Sequence, residues 1–181
     1  MIQSASRQSD VIFAEEGVLS HPLFGGGLAA EAERALEQAG LSYADPEQAE
    51  AFLRAAECFA PDHFAVLIGW YRYYFYKGRL AEALAIGRRC LIKTAREKNF
   101  AVDWRDVRAG DADFGSYDDV MARFFMFCLK GYAYLHLRLG DLEEGREASL
   151  KLLELDPTDR INARLLLDVL ARAKTAEAGD E

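Results

Sequence analysis

The sequence predicts an all-α fold of antiparallel helix hairpins, on three observations: landmarks that recur at a repeat spacing, apolar residues at helical spacing, and a helix-favouring composition. Leu67, Trp70, Gly78, Leu80 and Leu91 reappear 62 residues later as Leu129, Tyr132, Gly140, Leu142 and Leu153. Pro61 and Pro157 stand 96 residues apart, and Ala49 and Ala83 stand 34 apart. A single period of 34 residues, with 28 residues inserted once, accounts for all of these intervals, and periods of this size mark stacked helical units. Leu80, Leu84 and Leu91 in one segment, and Leu142, Leu150 and Leu153 in another, fall at three- and four-residue steps or their multiples. Ala, Leu, Glu and Arg dominate and only 4 prolines are present, which favours helices.

Taken in order, residues 1–27 form an N-terminal arm. Val11, Ile12, Phe13, Val18, Leu19, Leu23 and Phe24 make 11–24 either a short helix packed on the first unit or an arm swapped into a dimer. Gly25–Gly27 would be the joint, since no Lys-Ser/Thr follows as in a phosphate loop. Residues 28–174 form one domain, with helix–turn–helix units near 30–63, 64–97 and 126–159. Asp45 before Pro46 and Asp156 before Pro157 each place a capping carboxylate ahead of a proline at a first helical position. Gly78 and Gly140 supply the left-handed residue that ends a first helix. Ala95 stands where the other units have proline, so the helix from Leu80 is expected to run on to about Asn99. Ser116 and Asp119 resemble a capping box that would start a long helix near Tyr117, reaching Arg138. Between these extensions the insertion, 98–125, holds a loop near 100–116 with Phe100, Trp104, Val107 and Phe114. These residues either tuck against the extended helices or, through Trp104 and Phe114, touch a partner or close over a groove as a lid. Residues 158–173 read as a helix that caps the last unit, and 175–181 as a disordered tail.

The stretch GWYRYYFYKGRLAEAL, residues 69–84, and the segment from Gly131 to Leu155 with its Asp156-Pro157 ending resemble tetratricopeptide repeats. The resemblance covers roughly residues 30–173. Ala44 in place of the turn glycine, and Glu37 and Tyr71 in place of small residues, depart from the pattern. Membership would imply a right-handed α-solenoid whose first helices line a concave face. Carried over by residue, Ile68, Arg72 and Tyr76 on one first helix and Lys130, Tyr134 and Arg138 on another would form a peptide-binding groove. Lys130 matches a position of the family's carboxylate clamp, whereas Tyr134 stands where asparagine is expected.

A formal net charge of −8 excludes nucleic-acid binding through bulk charge and adsorption to anionic lipid. No run of about 18 apolar residues suggests a membrane span, and Met1–Asp10 lacks the pattern of a secretory signal. Cys58, Cys90 and Cys128 are an odd number without paired spacing, which fits a reducing cytoplasm, and they read as small core residues. His21, His63 and His136 make no zinc pattern, Asp111 and Asp113 do not open a complete calcium loop, and no nucleophile motif appears. The expected protein is therefore not an enzyme and needs no cofactor or metal. It is expected to be a bacterial cytoplasmic adaptor or assembly chaperone, holding a protein or peptide client that is acidic or offers a free carboxylate. Size and architecture are also similar to repeat-type chaperones of secretion systems. Two rivals stand: a self-assembling structural subunit, such as a homodimer, joined through its aromatic helices, with Trp70–Tyr76 in one and Phe124–Phe127 in another, and, less favoured, an enzyme using Asp, Glu, His or Tyr of the groove or loop.

Overall fold

Three helix ends share one local device. Gly78 and Gly140 adopt left-handed backbone, with φ of 72° and 89°, and Asn99 does the same at 57°. In each case the next residue's N–H reaches back five residues: Arg79 to the Tyr74 carbonyl, Asp141 to His136, and Phe100 to Ala95. Such bonds satisfy carbonyls that a helix end otherwise orphans. They fix where each of these helices ends.

The computed structural model describes residues 21–178, with side chains through Arg172. Among the described residues are seven α-helices and no strand, and no helix is long and apolar enough to cross a membrane. The helices are α1 (Ala30–Leu41), α2 (Pro46–Phe59), α3 (Phe64–Tyr76), α4 (Leu80–Lys98), α5 (Val120–Leu139), α6 (Leu142–Leu155) and α7 (Arg164–Ala178). The chain is all-α, as expected. Val11, Ile12, Phe13, Val18 and Leu19 of the expected arm lie outside the described residues, as do residues 179–181 of the expected tail; 175–178 continue α7.

Contacts divide the chain into two compact units, Leu19–Ile86 and Gly87–Glu181, with the division inside α4. In the first unit α1 and α2 form a hairpin and α3 packs on both. Ala32 of α1 and Ala49 and Ala56 of α2 are fully buried, and small side chains let helix backbones approach closely. Asp45 caps α2 as expected: its Oδ1 accepts from the N–H groups of Glu47 and Gln48, with Pro46 at the first helical position. Ahead of α1, Pro22–Gly25 forms a 3-10 turn whose Phe24 is buried edge-on to Phe64, 5.6 Å between ring centres.

In the second unit α5 pairs with α6, and α7 packs on both. Every residue of α5 from Ala122 to His136 is buried, so this helix has no solvated stripe along that stretch. Gly145 of α6 is what allows the close α5–α6 crossing: a Cβ there would meet Leu137 Cγ at 2.5 Å and the Ala133 carbonyl oxygen at 2.9 Å. Residues 99–119 fold onto α5. Phe100, Phe114 and Phe125 form a ring cluster with centres 5.4 to 6.0 Å apart, and Val107 is fully buried.

Three boundaries differ from expectation. α5 starts at Val120 and is capped by Asp119, whose Oδ1 accepts from Ala122 N–H; Ser116 Oγ accepts from Asp118 N–H instead, holding a turn. Asp156 does not open a helix at Pro157. Its carboxylate accepts from the N–H groups of Thr158 and Arg160 and from the Thr158 hydroxyl, building a buried turn. The last helix begins only at Arg164, where Asp159 takes the capping role through Ala163 and Arg164 N–H. Cys58 is exposed rather than in the core, while Cys90 and Cys128 are buried.

Candidate functional site: an apolar hollow on the first unit

Ile68, Arg72 and Tyr76 follow one another at four-residue steps on α3, which places them on one helix face. With Leu36, Ala39, Gly40 and Tyr43 from the α1 side, Leu53 from α2, and Ala65, Gly69 and Tyr73, they line a hollow of about 290 Å³. Arg72 is the one charged residue in that lining; the rest is aliphatic, aromatic or glycine. Gly69 keeps the floor low, because a Cβ there would come within 3.0 Å of Leu36 Cδ2.

The rim is built by cation and ring contacts. Tyr43 meets Tyr73 edge-on at 6.1 Å, and Lys77 Nζ lies 4.1 Å from the Tyr43 ring centre while donating to the Tyr43 carbonyl at 2.8 Å. The Tyr73 hydroxyl donates to Glu50, which also accepts from Arg79 at 2.6 Å. Burial, and next the Glu50 charge, hold the Tyr73 phenol above its ordinary pKa, so it stays a neutral donor. Exposed apolar surface gathers at this end of the unit: Tyr76 is 49% exposed, Tyr43 40% and Leu41 81%. Patches of this kind on a folded surface mark sites of interaction.

The remaining expected site residues have different fates. Lys130 and Tyr134 are 3% and 5% exposed, so neither is offered to a client; the expectation of an open face at these positions is corrected, because α5 is covered on all sides there. Arg138 is exposed at the end of α5 and donates to the Tyr134 hydroxyl at 2.6 Å. Trp104 and Phe114 are buried on α5, Trp104 against Tyr132 at 5.9 Å and Phe114 against Phe125 at 6.0 Å.

The structure also assembles a polar network that no spacing in the sequence announces. His136 is buried in the second unit, with Nδ1 3.0 Å from Asp141 Oδ2 and Nε2 3.1 Å from Arg88 Nη2. An arginine N–H can only donate, so Nε2 accepts and the ring proton sits on Nδ1, facing Asp141. One turn earlier the Tyr132 hydroxyl donates to Glu144, which also accepts from Arg105, and Arg105 bonds Glu147 at 2.9 and 3.0 Å. Burial opposes ionisation of Glu144, but hydrogen bonds from Tyr132 and Arg105 outweigh it and hold its pKa below the ordinary value. Arg105 joins partners 39 and 42 residues away, which is why periodicity did not reveal it. Among the described residues no three His, Cys, Asp or Glu side chains converge as metal ligands.

No family model matches the chain, and no solved structure matches it significantly. Among curated proteins, an uncharacterized 19.8 kDa protein in the nifW 5′ region of Azotobacter chroococcum mcd 1 is 41% identical over 124 residues, covering 68% of this chain and 70% of that protein.

Proposed function

The chain belongs to the family of that 19.8 kDa protein, and on this premise we propose that it is a protein–protein interaction module, an adaptor or assembly chaperone. It takes a client segment into the hollow between α1 and α3. The observation that carries this reading is the hollow itself: an apolar trough of about 290 Å³ whose one charged lining residue is Arg72, on a protein of net charge −8. A trough of that composition suits an apolar side chain flanked by a carboxylate, which an arginine recognises through paired N–H donors. The α1–α2 and α5–α6 hairpins, the second turning on left-handed Gly140, support a helical repeat of the tetratricopeptide kind, and such hairpins leave faces that bind peptides. The cytoplasm of a bacterium is the proposed setting. The relative's place in the nifW 5′ region makes the nifW product the first client to test.

A photo-reactive residue at position 76, introduced in the native host, tests the reading. Crosslinking from this position is expected to give a discrete heavier adduct that disappears in the folded Arg72→Glu variant. The same adduct from position 150 on α6, or an adduct indifferent to Arg72→Glu, would overturn it; a self-adduct would favour the self-assembling subunit instead.

A further inference from the structure

The second unit contains its own hollow, of about 270 Å³, lined by Arg88, Leu91 and Ile92 of α4, by Val102–Arg105 of the insertion, and by Tyr132 of α5. The volume lies below the roughly 300–1,000 Å³ of sites for drug-sized ligands, so an occupant would be small. Its body would meet Leu91, Ile92, Val102 and the Trp104 ring, an apolar wall. Val102 is 51% exposed at the mouth.

Two cations line this hollow, and they are not equivalent. Arg105 is committed: it bonds Glu144 and Glu147, sits 3.7 Å from Asp103 and lies over the Trp104 ring at 4.2 Å. Arg88 is held but not neutralised. Its hydrogen bond goes to the acceptor nitrogen of His136, its guanidinium lies 5.5 Å from the Tyr132 ring centre, and among the described residues it forms no ion pair. The imidazole is itself oriented by Asp141, so the cation is positioned by a second and a third residue without being cancelled by either.

We infer that this hollow binds a small organic monocarboxylate, its charge on Arg88 and its apolar body against Leu91, Ile92, Val102 and Trp104. A single uncancelled cation matches a single negative charge. A phosphate group, with a charge near −1.5 to −2 at neutral pH, would face Asp103 at close range and Glu144 and Glu147 just behind Arg105, so a dianion is disfavoured. This site is independent of the client-binding hollow on the first unit.

The test is a titration of the full chain with sodium hexanoate, followed by the indole N–H resonances of Trp104 and of Trp70, which lies in the other unit and serves as an internal control. Saturable shifts are expected at Trp104 and the Val102–Arg105 amides but not at Trp70. Hexanamide, which has the same body without the charge, and inorganic phosphate should leave Trp104 unmoved. Arg88→Gln should weaken hexanoate at least about tenfold, the scale of a lost charged hydrogen bond, while Arg89→Gln on the same helix should not. If Arg88→Gln disturbs the fold, Val102→Asp provides the second variant: it places a like charge at the exposed mouth and is likewise expected to weaken binding about tenfold. Absence of a saturable shift, hexanamide or phosphate performing as well as hexanoate, or hexanoate binding that survives in the folded variants would overturn the assignment.

Discussion

His63 works from both ring nitrogens: Nδ1 accepts from the Ala65 N–H at 3.2 Å, capping α3, and Nε2 donates to the Gly26 carbonyl at 3.0 Å. Removing the imidazole leaves a first-turn N–H and a loop carbonyl without their partner. His63→Ala is therefore expected to lower the unfolding free energy by about 1–2 kcal/mol, and His63→Asp to recover only the capping share; urea denaturation of the three proteins measures both. Sequence spacing leaves this histidine isolated, because histidine is not among the usual caps and its second partner lies 37 residues away. Lys130 and Tyr134 show the opposite failure. Their spacing is that of a helix face, but a face can be read only where a helix has a wet side and a dry side. α5 has none between Ala122 and His136, so identical spacing marks an accessible residue on α3 at Tyr76 and buried ones on α5.

At the scale of elements, the sequence was most legible where the backbone itself imposes a stop or permits a run. Gly78 and Gly140 turn where a left-handed residue was wanted, and α4 runs to Lys98 because Ala95 replaces the proline that would end it. Proline is a weaker guide to starts. Pro46 begins α2, yet Pro157 sits in a turn because the Asp156 carboxylate is taken up by Thr158 and Arg160, a local competition that spacing alone does not resolve. Closeness of approach was not legible at all, since Gly145 in an exposed stretch and Gly145 against Ala133 look the same in sequence. The contact makes a sharp prediction. Gly145→Ala should destabilise the protein by about 1–3 kcal/mol, the range for overpacking, despite alanine's better helix propensity. The Ala133 carbonyl oxygen is main chain and cannot swing away from the new methyl group. Leu137→Ala, which opens space on the same crossing, should partly rescue it, and a double-mutant cycle of urea midpoints reads the coupling.

For the molecule as a whole, composition located no site, because net charge says nothing about which carboxylates are bound to what. Among the described residues of the second unit, three carboxyls, Asp119, Glu144 and Asp156, are held below their ordinary pKa. For Asp119 and Asp156, as for Glu144, burial works against ionisation and is outweighed, by the Lys98 ammonium at Asp119 and by the Thr158 hydroxyl with the Arg160 and Thr158 N–H donors at Asp156. Their counterpart in the first unit, Glu82, is depressed by Arg79 on the surface, where solvent screens the pair and little stability is at stake. A carboxyl whose folded pKa is depressed stabilises the fold above its unfolded value, 3.8 for Asp and 4.5 for Glu, and that contribution is lost as pH falls through the folded value. Acidification from about pH 5 to pH 3 is thus expected to loosen Gly87–Glu181 before Leu19–Ile86. Each unit carries its own tryptophan: the Trp104 indole signal should broaden or vanish at higher pH than that of Trp70, which is held by Glu57 at 3.2 Å. Glu144→Gln should be less stable than the parent at pH 7 and differ from it less as the pH falls, because protonation progressively removes the charge that Arg105 and Tyr132 rely on. Loss of both indole signals in one step, or of Trp70 first, would mean that these three carboxylates do not set the acid limit of the fold.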